Sequence, residues 1–459
     1  MDEQDRRRAQ ERAQVIQRQL AEQDVRAVAV TYVDNVGITR VKGVPLATLD
    51  SAAAWGVGIS PVFDSFLFND IAITGKFAPG AVGDLRLHPD LDRITVLAAQ
   101  PGWAWAPGER YDQRGERHPF DQRALTGKAV AALAEAGYTA RAAIEIEWVL
   151  GQQADGDEFV PAVHGPAYGM ARLVERSDYL REVLTALAAQ NVEVVQIHPE
   201  YAPGQLELSV AAEDPVGAAD TYVLVRETIR AVSQRNGLRV SFSPKVLPEG
   251  VGNGGHVHLS IAKDGQNLFA GGPGRFGMTE TAESFTAGIL GRLPALLVVG
   301  APSTASYLRL IPQHWAGAYA AWGLENRETA LRLVTGPVGS QQSAANIEIK
   351  CFDQTANPYL AMAGLLFAGL AGIGEQAGLA EPIDVDPATL GTKELLRHGI
   401  RPLPASLGEA VAAFEADQTL FEAFGEPLAT TLVDLRKAEI EHFATATAEE
   451  VTAALRWVH

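Results

Sequence analysis

The sequence predicts an α+β protein organised around a sheet whose apolar face packs on a core and whose polar face lines a site. Three stretches predict it. Residues 252–260, Gly-Asn-Gly-Gly-His-Val-His-Leu-Ser, begin with glycines that let backbone and ligand come close, and then alternate with the period of a strand. That period turns His256 and His258 to one face. Residues 144–148, Ile-Glu-Ile-Glu-Trp, and 346–350, Asn-Ile-Glu-Ile-Lys, repeat the idea, setting charged groups at i and i+2 between apolar ones.

In chain order, residues 1–20 mix both charge signs, lack the apolar stretch of a signal peptide and read as a solvated helix. Residues 27–34 and 38–44 alternate around Asn35-Val36-Gly37 and predict a β-hairpin. Strand-like, glycine-rich sequence continues to residue 98. Pro101-Gly102 and Pro107-Gly108 then break the pattern, which places a domain boundary near residues 100–118. Residues 121–137 predict a helix ending on glycine, 140–150 a strand carrying Glu145 and Glu147, and 178–190 a helix. Asp214-Pro215 has the cap-then-proline order that opens a helix, and Asn236-Gly237 closes it. Strands follow at residues 238–243 and 255–261, helical patterns at 279–297, and an arginine-rich segment with Arg309, Arg327 and Arg332. Residues 358–374 are apolar but hold a proline and four glycines, and at 17 residues they fall short of a membrane span, so they read as a buried helix. The remainder is mostly helical.

Composition bounds the function. A chain of 459 residues, 47% hydrophobic and 20% charged, suits two or three folded domains. A net charge of −18 argues against nucleic acid or an anionic membrane as partner. The single cysteine, Cys351, excludes an intramolecular disulfide and a cysteine-based zinc site, in keeping with a reducing cytoplasm.

The strand-borne acids are Glu145, Glu147, Glu200, Glu207 and Glu348, with His256 as a nitrogen donor. Carboxylates gathered in one place repel one another unless cations lie between them. Oxygen-rich ligation favours Mg²⁺ or Mn²⁺, and a two-metal cluster implies phosphoryl chemistry on ATP, with arginines taking the developing charge. Each element alone has a blander reading, as a half-exposed strand face or a surface charge, and together they span 200 residues. The joint reading needs a template.

The order and spacing of several motifs supply it. Residues 144–147 resemble the E-x-E strand of the glutamine synthetase family, type I arrangement; residues 200–207 resemble its E-x-A-x-G-Q-x-E segment, and 252–260 its G-x-H-x-H-x-S segment. Asn326-Arg327 with Arg332 is similar to its N-R-x-x-x-x-R, and residues 357–360 to its N-P-Y-L. The resemblance implies a small N-terminal β-grasp-like domain over residues 1–112. A catalytic domain over 113–459 would follow, with a curved antiparallel sheet flanked by helices.

By that resemblance Glu147, Glu200 and Glu207 would hold one metal and Glu145, His256 and Glu348 another, within a set of two or three per site. His258, Ser260 and Arg332 would bind ATP, and Arg327 and Asp64 would serve catalysis. Gly252, Arg309, Lys350, Trp315 and Tyr168 would surround glutamate and the acceptor. The implied reaction moves the γ-phosphate of ATP to the side-chain carboxylate of glutamate, giving an acyl phosphate that an amine attacks. Stacked rings of subunits, a dodecamer in which one N-terminal domain completes a neighbour's site, and a cytoplasmic location are also implied.

The departures gather on the acceptor side. Ammonia-using members carry a glutamate six residues after the arginine of N-S-Y-K-R-L; here residues 305–310, Ala-Ser-Tyr-Leu-Arg-Leu, lead to Trp315. A carboxylate can hold and deprotonate ammonium, whereas an indole offers a π face to an alkylamine cation. Lys350 and Asn346 stand where arginines are usual, residues 62–65 replace the N-terminal Phe-Asp-Gly-Ser-Ser, and no tyrosine after Tyr359 can serve as the adenylylation site. The expected function is therefore a glutamate–amine ligase resembling γ-glutamylethanolamide or γ-glutamylpolyamine synthetases. Ethanolamine and short mono- or diamines are favoured over long polyamines. The alternatives are an ammonia-using glutamine synthetase and a catalytically silent structural relative.

Overall fold

The computed structural model describes residues 3–154 and 158–459. Its first helix, Glu3–Glu22, carries charges along most of its length and packs on helix Leu49–Trp55; residues 1–2 of the expected helix lie outside the described residues. The predicted hairpin forms from strands Ala27–Val33 and Thr39–Pro45. Strand Ala27–Val33 also pairs in parallel with Trp103–Asp112, which in turn pairs antiparallel with Leu85–Pro89 and so reaches Val57–Ile59.

Alternation along these strands serves two cores. Ala104 and Ala106 face inward with Val28, Val30, Leu49 and Leu87, while Trp105, between them in sequence, joins the main core together with Val33 and Leu97. The N-terminal sheet is thus packed against the body by its own second face. Asp64 lies inside this region, accepting from Arg110 Nη1 with Oδ1 (2.7 Å) and Oδ2 (2.8 Å), and Oδ2 also lies 3.1 Å from His118 Nε2.

The body is a curled half-barrel sheet with helices outside it. One sheet runs Leu238–Ser241, Ile146–Gln152, Gln205–Val210, Val194–Pro199; the other includes Val257–Lys263, Asn346–Ile349, Thr329–Val334 and Tyr319–Leu324. Pairing in the body is antiparallel except between Tyr319–Leu324 and Thr329–Val334. The expected continuous strand at residues 140–150 is broken at Glu145 into Thr139–Ile144, which pairs with Val257–Lys263, and Ile146–Gln152 in the other sheet. Glu145 occupies the corner, where its amide donates to His256 O (2.9 Å) and so carries the register of the first pairing one residue further.

Capping follows the sequence signals. Asp214 accepts from the amides of Val216 and Gly217 to open Pro215–Arg235, and Asp121 accepts from Ala124 to open Gln122–Glu135. Helix Glu280–Gly300 is long and apolar enough to cross a membrane by length and composition. It is instead a core helix, packed along Pro358–Gly374, whose buried face runs through nearly every turn. Cys351 is fully buried, which pushes its thiol up to about 12.

The hairpin turn is fitted to the body at Gly37, which has φ +81° and where a Cβ would fall 2.1 Å from Thr355 O. Gly37→Ala therefore combines a left-handed L-residue with a clash against backbone, and denaturant titration is expected to show a loss of about 2–3 kcal/mol. Gly137→Ala, at φ +86° with open space around it, isolates the strain and should cost about 1 kcal/mol. Equal losses would mean that the turn does not bear on the body.

Candidate active site

Register across the two sheets assembles two rows of facing side chains. In one, Glu147, Glu207 and His198 lie directly opposite one another on three neighbouring strands. In the other, His258, Glu348 and Arg332 do the same. Glu145, at the corner, joins the second row: its two oxygens lie 2.9 Å from His256 Nδ1 and 3.0 Å from His258 Nε2. His256 precedes the strand rather than lying in it, yet both imidazoles do share one face.

Close approach at the glycine turn makes this possible. Gly254 N donates to Glu147 Oε2 (2.9 Å), and a Cβ at Gly254 would fall within 3 Å of His256, Arg309 and Glu147 at once. Gln205 Nε2 holds the same Glu147 oxygen at 2.8 Å while facing Asn253 Oδ1 and Gly252 O. Glu348 is buried between Arg332 Nη1 (3.0 Å), Lys350 Nζ (3.2 Å) and His256 Nδ1 (3.3 Å). Arg309 Nη2 reaches His256 Nε2 (3.3 Å) and Lys350 O (3.2 Å).

These groups surround a cavity of about 630 Å³. Glu145, Glu147, Glu200, Glu207, His256 and Glu348 line it, as do Gly252, Arg309, Arg327, Arg332, Lys350, Tyr168 and Trp315. Three of the expected site residues do not line it. His258 stands behind Glu145, its Nδ1 facing Asn346 Oδ1 (2.9 Å), so Asn346 orients an imidazole here. Ser260 lies farther along the strand, opposite Arg141. Asp64 is remote, fully buried in its ion pair with Arg110.

Sequence reasoning passed over three residues that line the cavity, His198, Gln196 and His314, and over Gln205, which stands behind it and holds Glu147. His198 and Gln196 precede Glu200 at even spacing on an alternating strand, and that parity was the available signal. At the mouth the Trp315 indole meets Tyr201 edge-on, ring centroids 5.0 Å apart, and both rings stay about two-fifths exposed. Tyr168 lies on the same side, 6.3 Å from His198.

The electrostatics are those of acids kept too close together. Burial raises the Glu147 carboxyl well above the ordinary range, and Glu207 and Glu200 add to it. Burial likewise pushes Glu207 up to about 7 against the lowering contact of His198. Glu145 is held well below the usual range because His258 and His256 outweigh its burial, and Lys350 with the histidines draws Glu348 down to about 2. His198, bonded to Glu207, is raised to about 9, and so is His258 beside Glu145, while burial lowers His256 to about 4. Two groups offer donor atoms within 4.8 Å of one another: Glu145 with His258 and Glu348, and His198 with Glu200 and Glu207. A carboxylate-rich donor set that holds protons for want of counter-charge fits divalent cations.

The family described as glutamine synthetase, catalytic domain, matches residues 119–453. The chain belongs to the glutamine synthetase family. Members of this family use ATP and divalent metal ions. The chain is 55% identical to the gamma-glutamylpolyamine synthetase GlnA3 of Streptomyces coelicolor, over 97% of this chain and 96% of the relative. It is 29% identical to a glutamine synthetase of Halobacterium salinarum, over 93% and 92%. Among solved structures, a novel glutamine synthase homolog superposes with a TM-score of 0.83 at 33% identity, covering 94% of this chain and 98% of that one. A GmaS/ADP complex superposes at 0.80 with 26% identity, covering 94% and 96%.

The raised acids make cation binding a proton-releasing event. Calorimetric titration with a divalent cation, repeated in buffers of different ionisation enthalpy, is expected to show proton release near neutral pH. Affinity should weaken as pH falls from about 8 to about 6, where Glu207, raised to about 7, takes up a proton that competes, with Glu147 shifted in the same direction. Buffer-independent heats would contradict the assignment of these acids as ligands.

Proposed function

We propose that this chain is an ATP-dependent ligase that joins the γ-carboxylate of glutamate to an amine through a γ-glutamyl phosphate, with a polyamine or diamine as acceptor. One observation carries the acceptor choice: an indole, Trp315, packed on Tyr201, faces the mouth of the acidic cavity. The likeness to a relative named as a gamma-glutamylpolyamine synthetase supports it and moves polyamines ahead of ethanolamine and the short monoamines, while the diamines that the sequence also favoured stay.

In this reading Glu147, Glu200 and Glu207, joined by His198, hold one cation and Glu145, His256 and Glu348 another. Mg²⁺ or Mn²⁺, two or three per site, would when bound neutralise phosphoryl oxygens and favour in-line transfer. Arg309, buried at the cavity wall, takes the glutamate α-carboxylate beside Gly252, and Lys350 lies next to it. Arg332, whose buried Nε has no partner among the described residues, binds ATP phosphate, and Arg327 on its exposed turn stabilises the transferred group. Ser260 and His258 flank the nucleotide side. Asp64, locked against Arg110, keeps a structural role in place of the catalytic one expected for it.

The aromatic mouth binds the ammonium form of the amine by its π face, and the amine attacks the acyl phosphate once it has lost its proton. We further propose two domains, residues 1–112 and 113–459, a cytoplasmic location and a homo-oligomer of stacked rings. A monomer that remains active in sedimentation would contradict the last of these.

Glu147→Ala and Glu348→Ala are each expected to abolish glutamate- and amine-dependent phosphate release; undiminished turnover in either would show the cation sites to be misplaced. A panel of putrescine, spermidine, ethanolamine and ammonium tests the acceptor. Wild type should prefer the di- and polyamines, and Trp315→Glu should move kcat/KM towards ammonium. The shift is bounded by the ~0.5–2 kcal/mol of a cation on an aromatic face. Preference of the wild type for ammonium would make it an ammonia-using glutamine synthetase.

A further inference from the structure

Trp315 does not hold its own position. It lies in a loop between the short helix Ser306–Arg309 and strand Tyr319–Leu324, where Gln313 has φ +63°, Trp315 φ +52° and Gly317 φ +69°. Left-handed conformations at a glutamine and a tryptophan are uncommon and persist only where surrounding contacts impose them. Successive amides along a turn that passes in and out of the left-handed conformation can form a concavity that suits an anion. The anion is Glu328. Trp315 N donates to Glu328 Oε1 at 3.2 Å; burial raises this carboxyl above its ordinary range, and the Trp315 amide, with the Gln313 backbone nearby, acts against that rise.

Glu328 is itself fixed from the other side. Its amide donates to Asn326 Oδ1 (3.1 Å), and Asn326 Nδ2 donates to Ile383 O and Val385 O, both at 2.9 Å. Thr329 Oγ1 closes the turn on Asn326 O at 2.9 Å. Glu328 does not line the cavity, yet its neighbour Arg327 does. The carboxylate thus ties the loop bearing the indole to the turn bearing an arginine of the cavity.

We propose that Glu328 is a positioning residue for acceptor choice: by filling the amide concavity of Gln313 and Trp315 it holds the indole against Tyr201 in the cavity mouth. The proposal rests on the reading that Trp315 meets the amine. Without the carboxylate the two left-handed residues relax towards ordinary backbone, the indole leaves the mouth, and the amine loses its π surface. Glutamate and ATP, bound by other residues, are unaffected. Glutamine at this position keeps an acceptor oxygen and loses only the charge.

The test compares Glu328→Ala, Glu328→Gln and Trp315→Ala in the full chain. Glu328→Ala should raise KM for the preferred di- or polyamine about tenfold, the size of one lost cation–aromatic contact. Its kcat at saturating amine and its KM for glutamate and ATP should stay near wild type, and Glu328→Gln should recover most of the loss. Amide hydrogen exchange should accelerate at Gln313 and Trp315 in Glu328→Ala while the sheet strands stay protected, a local readout that a general loss of stability would not give. If Glu328→Ala does not fold, the smaller loss expected of Glu328→Gln, read by the same exchange and KM, decides. If Trp315→Ala alone shifts the amine preference and neither Glu328 variant does, Glu328 is not the positioning residue. If Trp315→Ala leaves the preference unchanged, the aromatic reading of the acceptor site fails first.

Discussion

Five carboxylates crowd the concave face of one curled sheet, and their mutual repulsion is the constraint that the rest of the site answers. Strand register places Glu147 against Glu207 and His258 against Glu348, so the crowding follows from the pairing pattern and cannot relax without moving whole strands. The protein meets it locally with unlike neighbours. Lys350, Arg332 and two imidazoles draw the Glu348 and Glu145 carboxyls down, while burial pushes Glu147 and Glu207, with fewer cations nearby, up. The carboxylates that lack counter-charge are the ones a divalent cation would bind with the greatest gain, and such a cation brings the means of handling phosphate.

Much of the fold was legible because its signals are local. The Asp214-Pro215 opening and Asn236-Gly237 ending mark helix Pro215–Arg235, and the turn at Asn35-Val36-Gly37 marks the hairpin. The break at Glu145 was not legible, since Ile-Glu-Ile-Glu reads as one alternating strand and only the pairing of its two halves with different sheets turns the chain. Nor was the enclosure of Asp64, which stands in a segment that only substitutes for the family's own, since Arg110 and His118, distant in sequence, surround its carboxylate. Helix Glu280–Gly300 shows the reverse case: its composition alone reads as a span, and its packing on Pro358–Gly374 places it in the core.

For the site, sequence gave residue types and parity but not partners. His198 sits two residues before Glu200 and carries the same parity, yet its place opposite Glu207 depends on the pairing of strands Val194–Pro199 and Gln205–Val210. Trp315 was recognisable as a departure from an acidic position, while Tyr201 and Glu328, which pack on it and hold its backbone, are reached only through tertiary structure. The two ends of the cavity therefore differ in kind. The acidic end is built on strands and fixed by register, and the aromatic mouth is built on loops, where side chains can differ without moving a strand.

The central claim is that glutamate's side-chain carboxylate receives the phosphoryl group before the amine attacks. Glutamate labelled with heavy oxygen in its γ-carboxylate, turned over with ATP and the preferred amine, tests it directly by mass analysis of the released phosphate. The account predicts that each phosphate carries one labelled oxygen from the carboxylate. Unlabelled phosphate, with one heavy oxygen kept in the amide and the other released to water, would contradict it.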